Sequence, residues 1–411
     1  MGAMTPGPTR RSVLAAGGTA ALLLATTGTA AADRYAAGVK PRQRGGRIQL
    51  TLPRPTGGHH VGTTSLHLVD RSRQDPWSST GSPRELMISL WYPTRDAAGR
   101  PRAAWLTPAA LALYRQQTSR SLQTPLDDVD FPVTHAYRDA PFSGRHPVVL
   151  FSPGYGAMRA LGTALVEDLA SRGYVVVTID HTYEAEIVEF PGGRLETGRR
   201  PAKPTEKDIV AALRVRQDDT RFVLNELARL DAGAGHRRLP RGLPGSLDLS
   251  RTGMFGHSLG GDTAAETMAQ DARIRAGIDL DGSISGDVAV TGLDRPFMLM
   301  ASAGHGRDND PSWEDLWSHL RGWRRELLLR DSGHQAYTDL SPLAQQLVKA
   351  LPVPPAVVAK LTESIGTIDA GRAVTAQRAY VGAFFDLHLR GRDHHLLSGP
   401  SPRFPEIEFV P

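Results

Sequence analysis

Short apolar runs recur along the chain, and each ends in turn-forming residues. Pro147–Ser152 (PVVLFS), Gly173–Asp180 (GYVVVTID) and Thr252–Gly256 (TGMFG) are apolar or β-branched almost throughout. That is the pattern of strands buried on both faces, not of strands with one wet side. Ala276–Asp281, Pro296–Ala301 and Glu326–Asp331 continue the series, and Val61–Leu68 with Glu85–Tyr92 read as an opening pair. Helical segments fall between them at Ala160–Arg172, Thr205–Leu230, Gly260–Arg273 and Pro311–Arg321. Strand and helix in alternation predict the α/β class: a mostly parallel central sheet with helices on both faces.

The pattern also divides the chain. Residues 61–411 read as a single domain, with 340–391 mainly helical and packed on the sheet. The Pro- and Gly-rich pieces at 191–204 and 231–247 read as excursions between elements. Residues 33–60 are expected to be a loose lead-in, rich in Arg, Gly and Pro. Residues 1–32 have the form of an export signal. Arg10-Arg11 opens it, an apolar run follows through Leu22-Leu23-Leu24, and Ala30-Ala31-Ala32 offers a cleavage site before Asp33. The run is too short and too rich in Gly and Thr to span a membrane. A freely secreted bacterial protein is the expectation.

Composition removes several function classes. The chain contains no cysteine, which excludes disulfides, thiolate metal sites and a lipid-anchored amino-terminal cysteine. The formal charge is +5, but only 5 of the 48 basic residues are lysine and the arginines are scattered. No basic run interleaves with aromatics, so a nucleic-acid partner is not expected. His59-His60 and His394-His395 stand too far from other ligand types to argue for a metal, and no cofactor is expected.

The chemistry concentrates at MFGHSLGGDTAAE, Met254–Glu266. With 42 glycines in 411 residues, Gly-x-Ser-x-Gly alone is a weak signal, but here it sits between an expected strand and an expected helix. That context is a nucleophile elbow, with Ser258 raised on a sharp turn. Gly256 and Gly260 omit β-carbons that such a turn would drive together, and Gly261 permits close helix packing. The following helix start supplies N–H groups for developing negative charge.

A serine needs a base, and the base an orienting acid, in the chain order Ser, acid, His. His334, in LLLRDSGHQAYTD, follows an apolar strand and is the candidate base. His319 lies inside a helix, and His388 lies with His394 and His395 near the end of the chain. For the acid, Asp281 closes the strand of RAGIDLDGS, where Asp279 alternates with it. Asp308 and Asp310, in ASAGHGRDND, follow the next strand, where many α/β-hydrolases carry theirs; as a possible calcium cluster, Asp308-Asn309-Asp310 lacks a spaced ligand set and reads as a surface loop.

Four stretches together carry a resemblance: VVLFSPGYGAMRALGTALVEDLASRGYVVVTIDHTYEA, MFGHSLGGDTAAE, AGIDLDGS and LLLRDSGHQAYTD. The chain resembles the secreted and type II intracellular platelet-activating-factor acetylhydrolase family over most of residues 61–391. The likeness implies an α/β-hydrolase fold, a triad of Ser258, Asp281 and His334, and an oxyanion hole from the backbone N–H groups of Tyr155 and Leu259. Pro153 stands where that family usually has a histidine. His181 also matches the family, and its expected role is structural. The implied activity is hydrolysis of carboxylic esters, on short or oxidised acyl groups at the second position of phospholipids or on short-chain esters broadly, with transient contact to a lipid surface. A cutinase-like polyester hydrolase, which would favour Asp308 or Asp310, and a lipase, which would need an apolar lid, are the alternatives. A hydrolase fold kept only as a scaffold is disfavoured by the presence of all three triad residues in order.

Overall fold

The computed structural model describes residues 42–44, 46–234 and 239–411. The expected export signal at 1–32 lies outside the described residues, as do 33–41 of the lead-in.

Among the described residues the main sheet has eleven strands. In chain order they are β1 (His60–Gln74), β2 (Pro83–Thr94), β3 (Arg102–Ala104), β4 (Val133–Arg138), β5 (His146–Ser152) and β6 (Val175–Asp180). Then come β7 (Leu247–His257), β8 (Ile274–Leu280), β9 (Phe297–Ser302), β10 (Arg324–Leu329) and β11 (Ile407–Val410). Their spatial order is β11-β10-β9-β8-β7-β5-β6-β2-β1-β4-β3. The run from β10 to β6 is parallel throughout, while β11 and β2 add antiparallel strands at its two flanks. This is the α/β-hydrolase fold.

The strands expected from apolar runs all form. β5, β6 and β9 are almost wholly buried, as two-sided coverage requires. One face is covered by α2 (Thr163–Ser171) and α9 (Ala370–Arg390), whose Leu169, Val381, Phe384 and Phe385 meet Phe151 and Phe255. On the other, α3 (Glu206–Asp231), α4 (Leu259–Gln270), the short α5 (Val288–Thr291) and α6 (Pro311–His319) close over Leu150, Val177, Met254 and Leu299. Local signals fix the helix starts. Thr205 and Asp208 form a reciprocal capping box at α3, and Asp310 caps α6 ahead of Pro311.

Two expectations change. The lead-in is not loose where it is described: Leu50 and Leu52 are buried, and Thr51 pairs its backbone with Gln346. The domain therefore begins before residue 50, not at 61. Those leucines join a third apolar cluster with α1 (Pro108–Leu122), α7 (Leu340–Ala350) and α8 (Pro355–Ile365), and α1 had no counterpart among the expected helices. The excursion at 191–204 contributes to a small hairpin, Ile187–Phe190 paired with Arg194–Thr197.

Candidate active site

β7 runs directly into α4, with Ser258 alone between His257 and Leu259. Its backbone sits at φ 55°, ψ −130°, a region that costs a non-glycine residue about 1–3 kcal/mol and survives only where neighbours impose it. The neighbours do so. Ser258 N donates to Leu280 O at 2.9 Å, and Ser258 O accepts from Gly261 N at 2.8 Å. A β-carbon on Gly256 would lie 2.1 Å from the Gly260 carbonyl carbon, and one on Gly260 would lie 1.9 Å from Ser152 O. Gly261 is pressed on Asp279, where a β-carbon would meet Oδ1 at 1.7 Å. Ser258 is thus partly exposed while both flanking residues are buried.

The candidate acid and base meet. Asp281 follows β8 and His334 follows β10, yet His334 Nδ1 lies 2.6 Å from Asp281 Oδ2. A carboxylate only accepts, so Nδ1 carries the hydrogen, which leaves Nε2 as the basic nitrogen. Asp281 also accepts from Ser302 N at 2.5 Å and Ser302 Oγ at 2.9 Å. Although burial opposes its charge, hydrogen bonds from His305 and His334 hold its carboxyl well below the usual range. The residue takes φ 64°, a conformation that Asp tolerates better than most. Ser258 Oγ makes no hydrogen bond among the described residues. Catalytic contacts of this kind often close only once substrate binds.

Two histidines invisible as site residues in the sequence complete the centre. His257 packs its ring 4.5 Å from that of His334 and donates Nε2–H to the His334 carbonyl at 2.9 Å. Burial, then the neighbouring His334, pushes its pKa down to about 3, so it pins the loop as a neutral ring. His305 stands between two carboxylates, with Nδ1 2.9 Å from Asp281 and Nε2 2.9 Å from Asp310. Asp310 is therefore not part of a surface loop: it is 2% exposed, caps α6 and binds His305. Asp308 remains exposed and touches none of these groups. Asp279 points away beneath the elbow, where burial raises its pKa well above the usual value.

The loop after β5 is braced from below. Arg216, on α3 and fully buried, donates to Pro153 O at 2.6 Å and Gly154 O at 2.9 Å. Glu184 holds Arg216 Nε at 2.7 Å and accepts from Gly156 N at 3.0 Å. With those carbonyls drawn inward, the Tyr155 amide donates to no acceptor among the described residues, nor does that of Leu259 at the head of α4. Two unspent N–H groups beside Ser258 are what an oxyanion needs. Around them Trp77, Tyr155, Ile209, Leu213 and Leu259 form a small apolar patch. Pro153, at the position where the family resemblance implies a histidine, uses its carbonyl to anchor the loop.

His181 belongs to this bracing. Its Nδ1 lies 2.9 Å from Asp219 Oδ2 and its Nε2 3.0 Å from Ser152 Oγ. The trio imitates a catalytic arrangement, but Ser152, His181 and Asp219 are all at most 1% exposed. Arg216 and Arg84 close the network. No group of three or more His, Cys, Asp or Glu among the described residues could hold a metal, and no described helix is long and apolar enough to cross a membrane.

The chain is similar to known proteins in sequence and in fold. The model of the family described as platelet-activating factor acetylhydrolase, isoform II, matches residues 45–389. A probable 1-alkyl-2-acetylglycerophosphocholine esterase of Arthroderma benhamiae is 32% identical over 383 residues, which cover 87% of this chain and 93% of the relative. The platelet-activating factor acetylhydrolase of Cavia porcellus is 24% identical over 71% of this chain and 69% of its own. Among solved structures, a ferulic acid esterase from Streptomyces cinnamoneus is 38% identical, with a TM-score of 0.73 over 88% of this chain and 99% of the other.

Proposed function

Because this chain belongs to the platelet-activating factor acetylhydrolase isoform II family and is an ester hydrolase, we propose that Ser258, His334 and Asp281 form its catalytic triad. Ser258 attacks the ester carbonyl as His334 Nε2 takes its proton. The amides of Tyr155 and Leu259 hold the resulting oxyanion. His334 then protonates the departing alcohol and activates water to release the acyl group, while Asp281 keeps the imidazole in the productive tautomer. The observation that carries this reading is the 2.6 Å bond between His334 Nδ1 and Asp281 Oδ2, on the same rim as the strained Ser258. No cofactor enters the scheme.

The substrate we propose is a short-chain acyl ester, with the acetyl or oxidised acyl group of a phospholipid as the leading member. The family supports it, and so does the apolar patch of Trp77, Ile209, Leu213 and Leu259 beside the two amides, which is small. The ferulic acid esterase likeness and the aromatic pair Trp77 and Tyr155 favour a second reading, an aromatic acyl ester. Export through the twin-arginine start at Arg10-Arg11 is part of the proposal. The test is a substrate panel: a 2-acetyl glycerophosphocholine, a feruloyl ester, a long-chain triglyceride and a polyester film. The proposal expects the highest kcat/KM on the acetyl phospholipid. Preference for the feruloyl ester would establish the second reading, and preference for triglyceride or film would overturn both.

A further inference from the structure

His305 has a carboxylate on each ring nitrogen, 2.9 Å away in both cases. A carboxylate offers no hydrogen, so both nitrogens must supply one, and only the imidazolium has two. The cluster is dry enough for that charge to matter. Asp281 and Asp310 side chains are 1% and 2% exposed, and the His305 ring lies against Trp313 at 4.5 Å. Burial opposes the charge on His305, but its hydrogen bonds to Asp281 and Asp310 lift its pKa to about 10. Asp310 in turn is drawn down to about 2, His305 outweighing its burial.

We propose that His305 is a positioning residue for ester hydrolysis: a fixed cation, held by Asp310, that acts through Asp281 on the basicity of His334. The proposal rests on the Ser258–His334–Asp281 reading and goes beyond it. Ser258, His334 and Asp281 alone suffice for a triad; the structure adds a second acid–imidazole pair, Asp310 and His305, behind them. Asp281, His305 and Asp310 together carry one net negative charge, which the His334 imidazolium balances when His334 takes the serine proton. Without His305 the same cluster would carry two, and His334 would hold its proton more tightly in the resting enzyme. It would then serve as a base only at higher pH.

Among the described residues, no other ionisable group nearby supplies that balance. Burial raises the pKa of Asp279 and of Tyr337 well above the usual values, and lifts that of Asp262, behind Asp279, to about 8. His257 is neutral, and Arg307 beyond the loop is paired with Glu326.

Two variants separate charge from mere support. His305→Gln removes the cation, and the acid limb of the kcat/KM profile should move up by about one pH unit. Asp310→Asn leaves the cation without its second anion, and the limb should move down, by up to about one unit. Structural damage would lower activity in both without moving the limb in opposite directions. Shifts of one sign, or none, would overturn the proposal. If either variant fails to fold, nitrogen NMR of the wild-type imidazoles decides. His305 should show both nitrogens protonated at pH 8, and a neutral ring there contradicts the idea. His334→Ala distinguishes the underlying reading: survival of activity and acid limb in that variant would remove the triad itself, whatever His305 does.

Discussion

His334 Nδ1 and Asp281 Oδ2 lie 2.6 Å apart although 53 positions separate the two residues in the chain. The pairing is made by adjacent parallel strands: Asp281 leaves β8, Ser302 at the end of β9 clamps its carboxylate, and His334 leaves β10. The proposed acid thus sits one strand earlier than in many hydrolases of this fold, and the proposed base reaches across the intervening strand to meet it.

Asp281→Asn should lower kcat by about 10⁴, because the amide no longer selects the tautomer that leaves Nε2 basic. Asp308→Asn should change kcat by less than about twofold, since exposed substitutions outside such networks rarely matter. Steady-state kinetics of the two variants side by side check the assignment. The reverse order would move the acid to the loop after β9.

The proposed oxyanion loop depends on two buried groups beneath it, Arg216 and Glu184. In Glu184→Gln the bonds to Arg216 and Gly156 weaken, and the Tyr155 amide loses its aim. The loss of one well-placed donor costs about 10²–10³ in kcat, and a misaimed one should cost about 10–100-fold. KM should change little, because the oxyanion forms only after binding. Kinetics with a melting curve check this; a rise in KM at constant kcat would contradict it.

Asp262 gives a pH prediction of definite sign. Burial lifts its pKa to about 8 in the folded protein, against about 3.9 for an exposed aspartate. The folded state keeps a proton that the unfolded chain gives up above about pH 4. Its contribution to stability is complete below that point and is lost as pH rises through 8. In Asp262→Asn this dependence vanishes, so the melting temperature of the variant relative to wild type should rise from pH 5 to pH 9. Parallel curves would refute it.

Much of this was legible in the sequence because apolar runs and turn residues act locally. The parallel strands and the elbow glycines belong to that class, whereas the choice of Asp281 over Asp308 or Asp310 rests on the family resemblance. What escaped depends on contacts distant in sequence. Leu50 and Leu52 sit in a polar stretch whose burial is decided by α7, and α1 lacks a strong apolar stripe of its own. His305 and Asp310 looked like members of a hydrophilic loop, since nothing near them in sequence reveals a carboxylate arriving from β8. Nothing local in the sequence marks Arg216 and Glu184, which the fold buries as a pair. Ser152, His181 and Asp219 show the reverse hazard, with triad-like spacing but no access to solvent.

The most direct test is the turnover of a nitrophenyl acetate by Ser258→Ala, with wild-type protein prepared in parallel. An activated hydroxyl at the elbow predicts a loss of about four to six orders of magnitude with an unchanged melting profile. Turnover retained within about tenfold would mean that another group attacks the ester, and the site built around Ser258 would not be the catalytic one.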